Sequence, residues 1–194
     1  MPQDKNTTEL KQRLFGLLKK YSYKEGRVVL SSGKVADYYI DARIVTLSSE
    51  GAYLTAAIIL GLIKACPALD LSGVSAVGGP TLGADPFLGA IAAMAYLDNN
   101  PLKTFIVRKA AKEHGSGRRI EGPALTRGEQ VLLVDDVATS GKSLIDSIKA
   151  LKEEGLIVKA AVVIIDRSEG AKEALAGVDC PLISIFKATD FRSQ

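Results

Sequence analysis

The chain has 194 residues, 47% of them hydrophobic, and a formal net charge of +3. Those values suit one domain over residues 1–194 with enough apolar content to bury both faces of a sheet. A charge this small does not call for nucleic acid, and Cys66 and Cys180 are too few for a disulfide framework or a structural zinc site.

In chain order, the polar N-terminal segment 1–6 lacks the apolar core of a signal peptide. Asn6 with Glu9 predicts a helix start, and Leu10, Leu14, Leu17, Leu18 and Tyr21 follow at helical spacing. Residues 28–30 and 38–41 predict two short strands around the turn Ser31, Ser32, Gly33 and Lys34, a small N-terminal flap apart from the main sheet. Leu54, Ile58 and Leu62 predict a helix that Cys66 and Pro67 end, residues 74–77 a strand, and Asp85 with Pro86 a capped helix start. Residues 104–107, 131–134, 159–165 and 182–186 supply further apolar strands. The most apolar stretches, 52–65 and 87–97, fall short of the roughly 20 residues that a membrane helix needs. The expectation is a soluble cytoplasmic protein whose cysteines are buried thiols in a reducing compartment.

Strand, loop and helix repeated in this way predict an α/β fold with a mainly parallel central sheet flanked by helices. Ligands of such sheets gather at the carboxyl ends of the strands. The chemically suggestive residues all follow predicted strands: Gly78 and Gly79, Arg108, Asp135, and Asp166 with Arg167.

Residues 131–143 are the most informative stretch. An apolar run ends in Asp135 and Asp136, and a small polar loop opens a helix with Leu144, Ile145, Ile148 and Leu151 on one face. Thr139, Ser140, Gly141, Lys142 and Ser143 can offer N–H groups and hydroxyls to an anion at a helix N-terminus. A P-loop is unlike this, because its first glycine would fall at Asp136 and two carboxylates would repel a triphosphate. Two readings remain open from the residues alone. The acids cap the next helix, or they accept hydrogen bonds from ribose hydroxyls while the loop holds a 5-phosphate.

This stretch, including Val137 and Ala138, resembles the phosphoribosyl-pyrophosphate (PRPP) signature of the type I phosphoribosyltransferases. Leu30 to Gly33 with Tyr38, Tyr39, Ile40, Asp41, Ala42 and Arg43 resembles the N-terminal base-binding segment of the orotate phosphoribosyltransferases, and Arg108 to Gly115 resembles their mobile catalytic loop. The resemblance implies transfer of phosphoribose from PRPP to orotate, with Mg²⁺ as cofactor carried mainly by the substrate and no dedicated protein metal site. It implies PRPP contacts from Arg108, Lys109, Lys112, His114, Asp135, Asp136 and residues 137–143, with Lys112, His114 and Asp136 as the catalytic group. It implies base recognition by Thr139, Arg167 and one of Tyr38 and Tyr39. It also implies a homodimer whose loop reaches the neighbouring site.

The residue types suit that chemistry. Orotate arrives as an anion, so the work lies in positioning two substrates and neutralising the leaving pyrophosphate. Arg108, Lys109, Lys112, Arg118 and Arg119 around a glycine-containing segment suit a closing lid, and His114, the single histidine, can donate a proton near neutrality. The Arg167 guanidinium matches a carboxylate bidentately, unless Asp166 or Glu169 occupies it. Two positions depart from the family pattern, Ser31 and Gly83, where lysines often stand. Other readings are a phosphoribosyltransferase for a different base and a PRPP-sensing regulator that binds nucleic acid.

Overall fold

The computed structural model describes residues 3–29, 35–66, 68–110 and 119–192. The predicted residues Lys112, His114, Ser31 and the 30–34 turn lie outside them.

Six strands form the central sheet: β3 (Ala76–Pro80), β4 (Lys103–Val107), β5 (Ile120–Glu121), β6 (Gln130–Ala138), β7 (Ile157–Asp166) and β8 (Leu182–Lys187). Their spatial order is β5-β4-β3-β6-β7-β8, and every pair is parallel except β4 with β5. A β-strand sends successive side chains to opposite faces. In β6, Leu132 and Val134 accordingly enter one apolar cluster while Val131 and Leu133 enter the other. Helices α1 (Gln3–Leu17), α3 (Ser49–Ala65) and α4 (Asp85–Leu97) cover the first face; α5 (Lys142–Glu153) and α6 (Ala171–Ala176) cover the second. Burial on both faces explains why the strands read as continuous apolar runs.

Strands β1 (Tyr23–Val29) and β2 (Val35–Ile40) pair antiparallel as a separate two-stranded sheet. A one-turn helix, α2 (Arg43–Thr46), joins this flap to α3 and is pinned by buried Ala42, Val45 and Thr46.

Several boundaries differ from the sequence expectation. Helix α1 starts at Gln3, ahead of Asn6, and continues into a π turn (Leu18–Ser22). Strand β3 begins at Ala76 and runs through Gly78 and Gly79, which therefore lie inside it. A side chain on either glycine would collide, Gly78 with Phe105 at 2.3 Å and Gly79 with the Val134 carbonyl at 1.9 Å. The two close approaches let three strands pack where larger residues would part them. Asp85 does not cap α4 with its side chain; Ala84 holds the cap position, and Asp85 instead accepts from the Thr81 hydroxyl at 2.7 Å. Cys180 is buried and Cys66 half-buried, both as free thiols. Burial pushes the Cys180 thiol up to about 11. No helix among the described residues is long and apolar enough to cross a membrane.

Candidate active site

Asp135 and Asp136 belong to β6 itself, whose pairing with β7 continues to Ala138. Asp135 is 5% exposed. Its Oδ1 accepts the Asp136 N–H at 2.9 Å, and its Oδ2 accepts from the Ser143 hydroxyl at 3.3 Å. The Val137 N–H donates to Asp136 Oδ1 at 2.7 Å. Neither acid has an ion-pair partner among the described residues. Burial, reinforced by the neighbouring Asp136 charge, raises the Asp135 carboxyl well above the ordinary carboxylate range. Burial also raises Asp136, against the pull of the Val137 N–H and the Arg43 charge. Two desolvated carboxyls with no ion-pair partner among the described residues are costly to keep unless a ligand uses them.

The loop after β6 supplies the other half of the cradle. Gly141 precedes α5 with φ +76°, a left-handed conformation that a glycine adopts without a Cβ penalty. None of the N–H groups from Thr139 to Ser143 donates to an acceptor among the described residues. Thr139, Ser140, Lys142 and Ser143 are exposed, and Gly141 and Ala138 are buried beneath them. Unpaired donors at a helix N-terminus favour an anion.

The turn after β3 closes over the acids. A Cβ on Gly83 would stand 1.9 Å from Asp135 Oδ1 and 2.7 Å from Asp136 Oδ1, so the backbone of this turn rests directly on both carboxyl groups. A lysine at this position does not fit the turn as it stands. Thr81 lines a cleft of about 520 Å³ with Ile106, Arg108, Lys109, Ala110 and Glu121. The base of the predicted lid is tied down here: the Arg108 N–H donates to the Arg119 carbonyl at 2.8 Å, and β4 pairs with β5. In this state the Arg108 guanidinium lies 3.4 Å from Glu121.

The base-recognition residues divide by face. Tyr38 is buried, with its ring against Tyr23 and the Arg167 and Arg192 guanidinium carbons 5.0 and 5.1 Å from its centroid. Tyr39, next along the strand, points the other way and is half-exposed. The Arg167 N–H is anchored on the Ala138 carbonyl at 2.9 Å. Its side chain is 9% exposed, and Glu169 stands 2.8 Å from Nε but off the N–H direction, so this buried donor lacks an aligned acceptor. The structure thus carries the competing Glu169 contact as well as an Arg167 that still seeks a partner.

Three features of the site were not singled out from the residues. The Asp41–Arg43 pair is one; the Gly83 contact and the Thr81–Asp85 bond are the others. A pair of opposite charges two residues apart is too common to signal function, and a glycine contact is a tertiary fact.

Parallel order places the ends of β4, β3, β6 and β7 side by side, which brings the loop of unpaired donors and the acid pair, buried at Asp135 and half-buried at Asp136, to one rim. The family model for the phosphoribosyl transferase domain matches residues 44–193. An orotate phosphoribosyltransferase of Aquifex aeolicus is 40% identical over 183 residues, covering 93% of this chain and 96% of that protein. One from a Nostoc species is 35% identical over 193 residues, covering 100% and 90%. The crystal structure of Mycobacterium tuberculosis orotate phosphoribosyltransferase in complex with PRPP superposes with a TM-score of 0.74 at 30% identity, covering 94% of this chain and 98% of that one. The chain belongs to the orotate phosphoribosyltransferase family.

Proposed function

We propose that the chain transfers the 5-phosphoribosyl group of PRPP to orotate, giving orotidine 5′-monophosphate and pyrophosphate in pyrimidine biosynthesis. The observation that carries this reading is the acid pair on β6, buried at Asp135 and half-buried at Asp136 with no ion-pair partner among the described residues, followed at once by a loop whose N–H groups donate to no acceptor among the described residues. One strand end can hold the hydroxyls and the phosphate of a single sugar phosphate.

Residues 139–143 hold the 5-phosphate, and Asp135 and Asp136 accept from the ribose hydroxyls. The diphosphate lies in the cleft over Thr81, Arg108 and Lys109, where Lys112 and His114 of the lid join it and exclude water. Orotate enters beside Arg167, which grips its carboxylate. A ring nitrogen then forms the bond to the anomeric carbon as the bond to pyrophosphate breaks, through an oxocarbenium-like state of the kind known from glycoside cleavage. Positive charge at the leaving group and exclusion of water lower that barrier.

Mg²⁺ is the proposed cofactor, and its chemistry is to neutralise and polarise diphosphate oxygens. The donor set fits an ion delivered by the substrate. Among the described residues no three His, Cys, Asp or Glu side chains gather into a cage, while the acid pair presents oxygen acceptors to the sugar that carries the ion. No residue of this chain is assigned as its ligand.

A homodimer with shared sites and a cytoplasmic location complete the reading. Exposed Ile44 and Leu47 around α2, Tyr53 on α3, and Tyr96 and Leu97 at the end of α4 supply apolar surface on neighbouring helices. A panel of bases supplied with PRPP and Mg²⁺ tests the assignment: orotate is consumed, and uracil, adenine and hypoxanthine are not. Preferred turnover of a purine would replace orotate as the acceptor.

A further inference from the structure

The flap touches the proposed base site through one ring. The Arg167 guanidinium carbon lies 5.0 Å from the centroid of Tyr38, inside the reach of a cation–π contact. Both partners are buried, Tyr38 at 6% exposure and the Arg167 side chain at 9%. Such a contact is stronger where water is excluded than at a surface. The Arg192 guanidinium carbon stands 5.1 Å from the same centroid, but Arg192 is exposed and water competes for it. Arg167 is thus the cation that depends on the ring.

Tyr38 is itself held by a succession of rings. Tyr23 on β1 stacks on it with centroids 5.9 Å apart and planes 29° apart, Phe191 of the C-terminal turn stacks on Tyr23 at 5.9 Å and 25°, and Phe15 on α1 stacks on Phe191 at 4.7 Å and 24°. The position of the Tyr38 ring is therefore set by four elements of the fold and needs no substrate. Arg167 starts from the rim of the main sheet, where its N–H donates to the carbonyl of Ala138, the residue just before the phosphate loop. A long side chain must be held in one orientation before it can grip a carboxylate without a large entropic cost. An ion pair would hold it by using up its donors and its charge, whereas an aromatic face holds the guanidinium plane and leaves the N–H groups for a ligand. The buried Arg167 Nε, which has no hydrogen-bond partner, agrees with support of the second kind.

We infer that Tyr38 is a positioning residue for the base: its ring does not face orotate but holds the Arg167 guanidinium in place for the orotate carboxylate. The inference rests on the reading of Arg167 as the carboxylate contact. It gives the flap, which lies outside the main sheet, a part in base recognition through Arg167.

A double-mutant cycle tests it. Tyr38→Leu, Tyr38→Phe, Arg167→Ala and the double Tyr38→Leu/Arg167→Ala are made in the full chain, and kcat, the KM for each substrate and Tm are measured with orotate, PRPP and Mg²⁺. Tyr38→Leu stays apolar but removes the ring, and it should raise the KM for orotate about tenfold, equivalent to ~1.4 kcal/mol and within the range of a buried cation–π contact. The KM for PRPP and kcat should stay within about twofold. Tyr38→Phe restores the ring and should recover most of the loss. In the Arg167→Ala background Tyr38→Leu should cost little more, because it acts through the missing guanidinium. If Tyr38→Leu does not fold, Tyr38→pentafluorophenylalanine keeps the ring shape while withdrawing negative charge from its face, and it should give the same rise with Tm little changed. An unchanged KM for orotate, equal rises for both substrates, or a Tyr38→Leu loss that adds in full to that of Arg167→Ala would overturn the inference. Arg167→Ala with an unchanged KM for orotate would overturn the carboxylate reading itself, whatever the Tyr38 variants do.

Discussion

Single side chains carry the sharpest consequences. Arg167→Ala should raise the KM for orotate far more than that for PRPP, because its proposed contact is the base carboxylate; losing a charged hydrogen bond costs about 1.5 to 3 kcal/mol. Equal damage to both constants would remove Arg167 from the base site. Asp135 makes a prediction of opposite sign for stability and for binding. Its carboxyl is raised above its unfolded value, so the unfolded chain ionises first as pH climbs, and the folded state loses stability between the unfolded pKa of about 3.9 and the raised folded one. Asp135→Asn should therefore raise Tm near neutral pH, with the gain fading below the unfolded pKa, while PRPP binding is lost. A lower Tm at neutral pH would make the Asp135 carboxylate a structural acceptor for the Asp136 N–H and Ser143 hydroxyl.

Elements place those side chains, and here some of the design was legible and some was not. The parallel sheet could be read from apolar runs because both of its faces are buried, and α5 from Leu144, Ile148 and Leu151 at helical spacing. The meeting of four strand ends was expected from the behaviour of parallel sheets, while the order β5-β4-β3-β6-β7-β8 is a tertiary fact that alternation along the chain does not fix. Strand ends were misplaced where polar or small residues continue a ladder: Gly78 and Gly79 stay in β3, and Asp135 and Asp136 stay in β6. Their pairing is set by neighbouring strands, which periodicity along one strand does not record. The contact of Gly83 with the acids, and the burial of Tyr38 beside a half-exposed Tyr39, likewise depend on which face of each element meets the core. The loop before α5 offers a test at this scale. Gly141→Ala places a Cβ in a left-handed residue 2.7 Å from Leu175 Cδ1, so it should cost about 1 to 2 kcal/mol for the backbone alone and weaken PRPP binding. Urea denaturation and calorimetry read the two effects. Unchanged PRPP affinity would detach the loop from phosphate binding.

For the molecule as a whole, the proposed assembly and the proposed chemistry are joined in one lid. If Lys112 serves the partner's site and Asp136 its own, inactive Lys112→Ala and inactive Asp136→Ala subunits should regain activity on mixing. Random exchange of equal amounts gives mixed dimers half the time, each with one intact site, so recovery should approach about one quarter of wild type. No recovery, with exchange confirmed by native mass spectrometry, would mean that the loop closes on its own subunit. The reaction itself is tested most directly by ultraviolet absorbance of orotate in the presence of wild-type protein, PRPP and Mg²⁺. The account predicts that orotate disappears only when PRPP is present, with one pyrophosphate released for each orotate consumed. PRPP binding without any consumption of orotate would contradict it and leave a chain that recognises the sugar phosphate without transferring it.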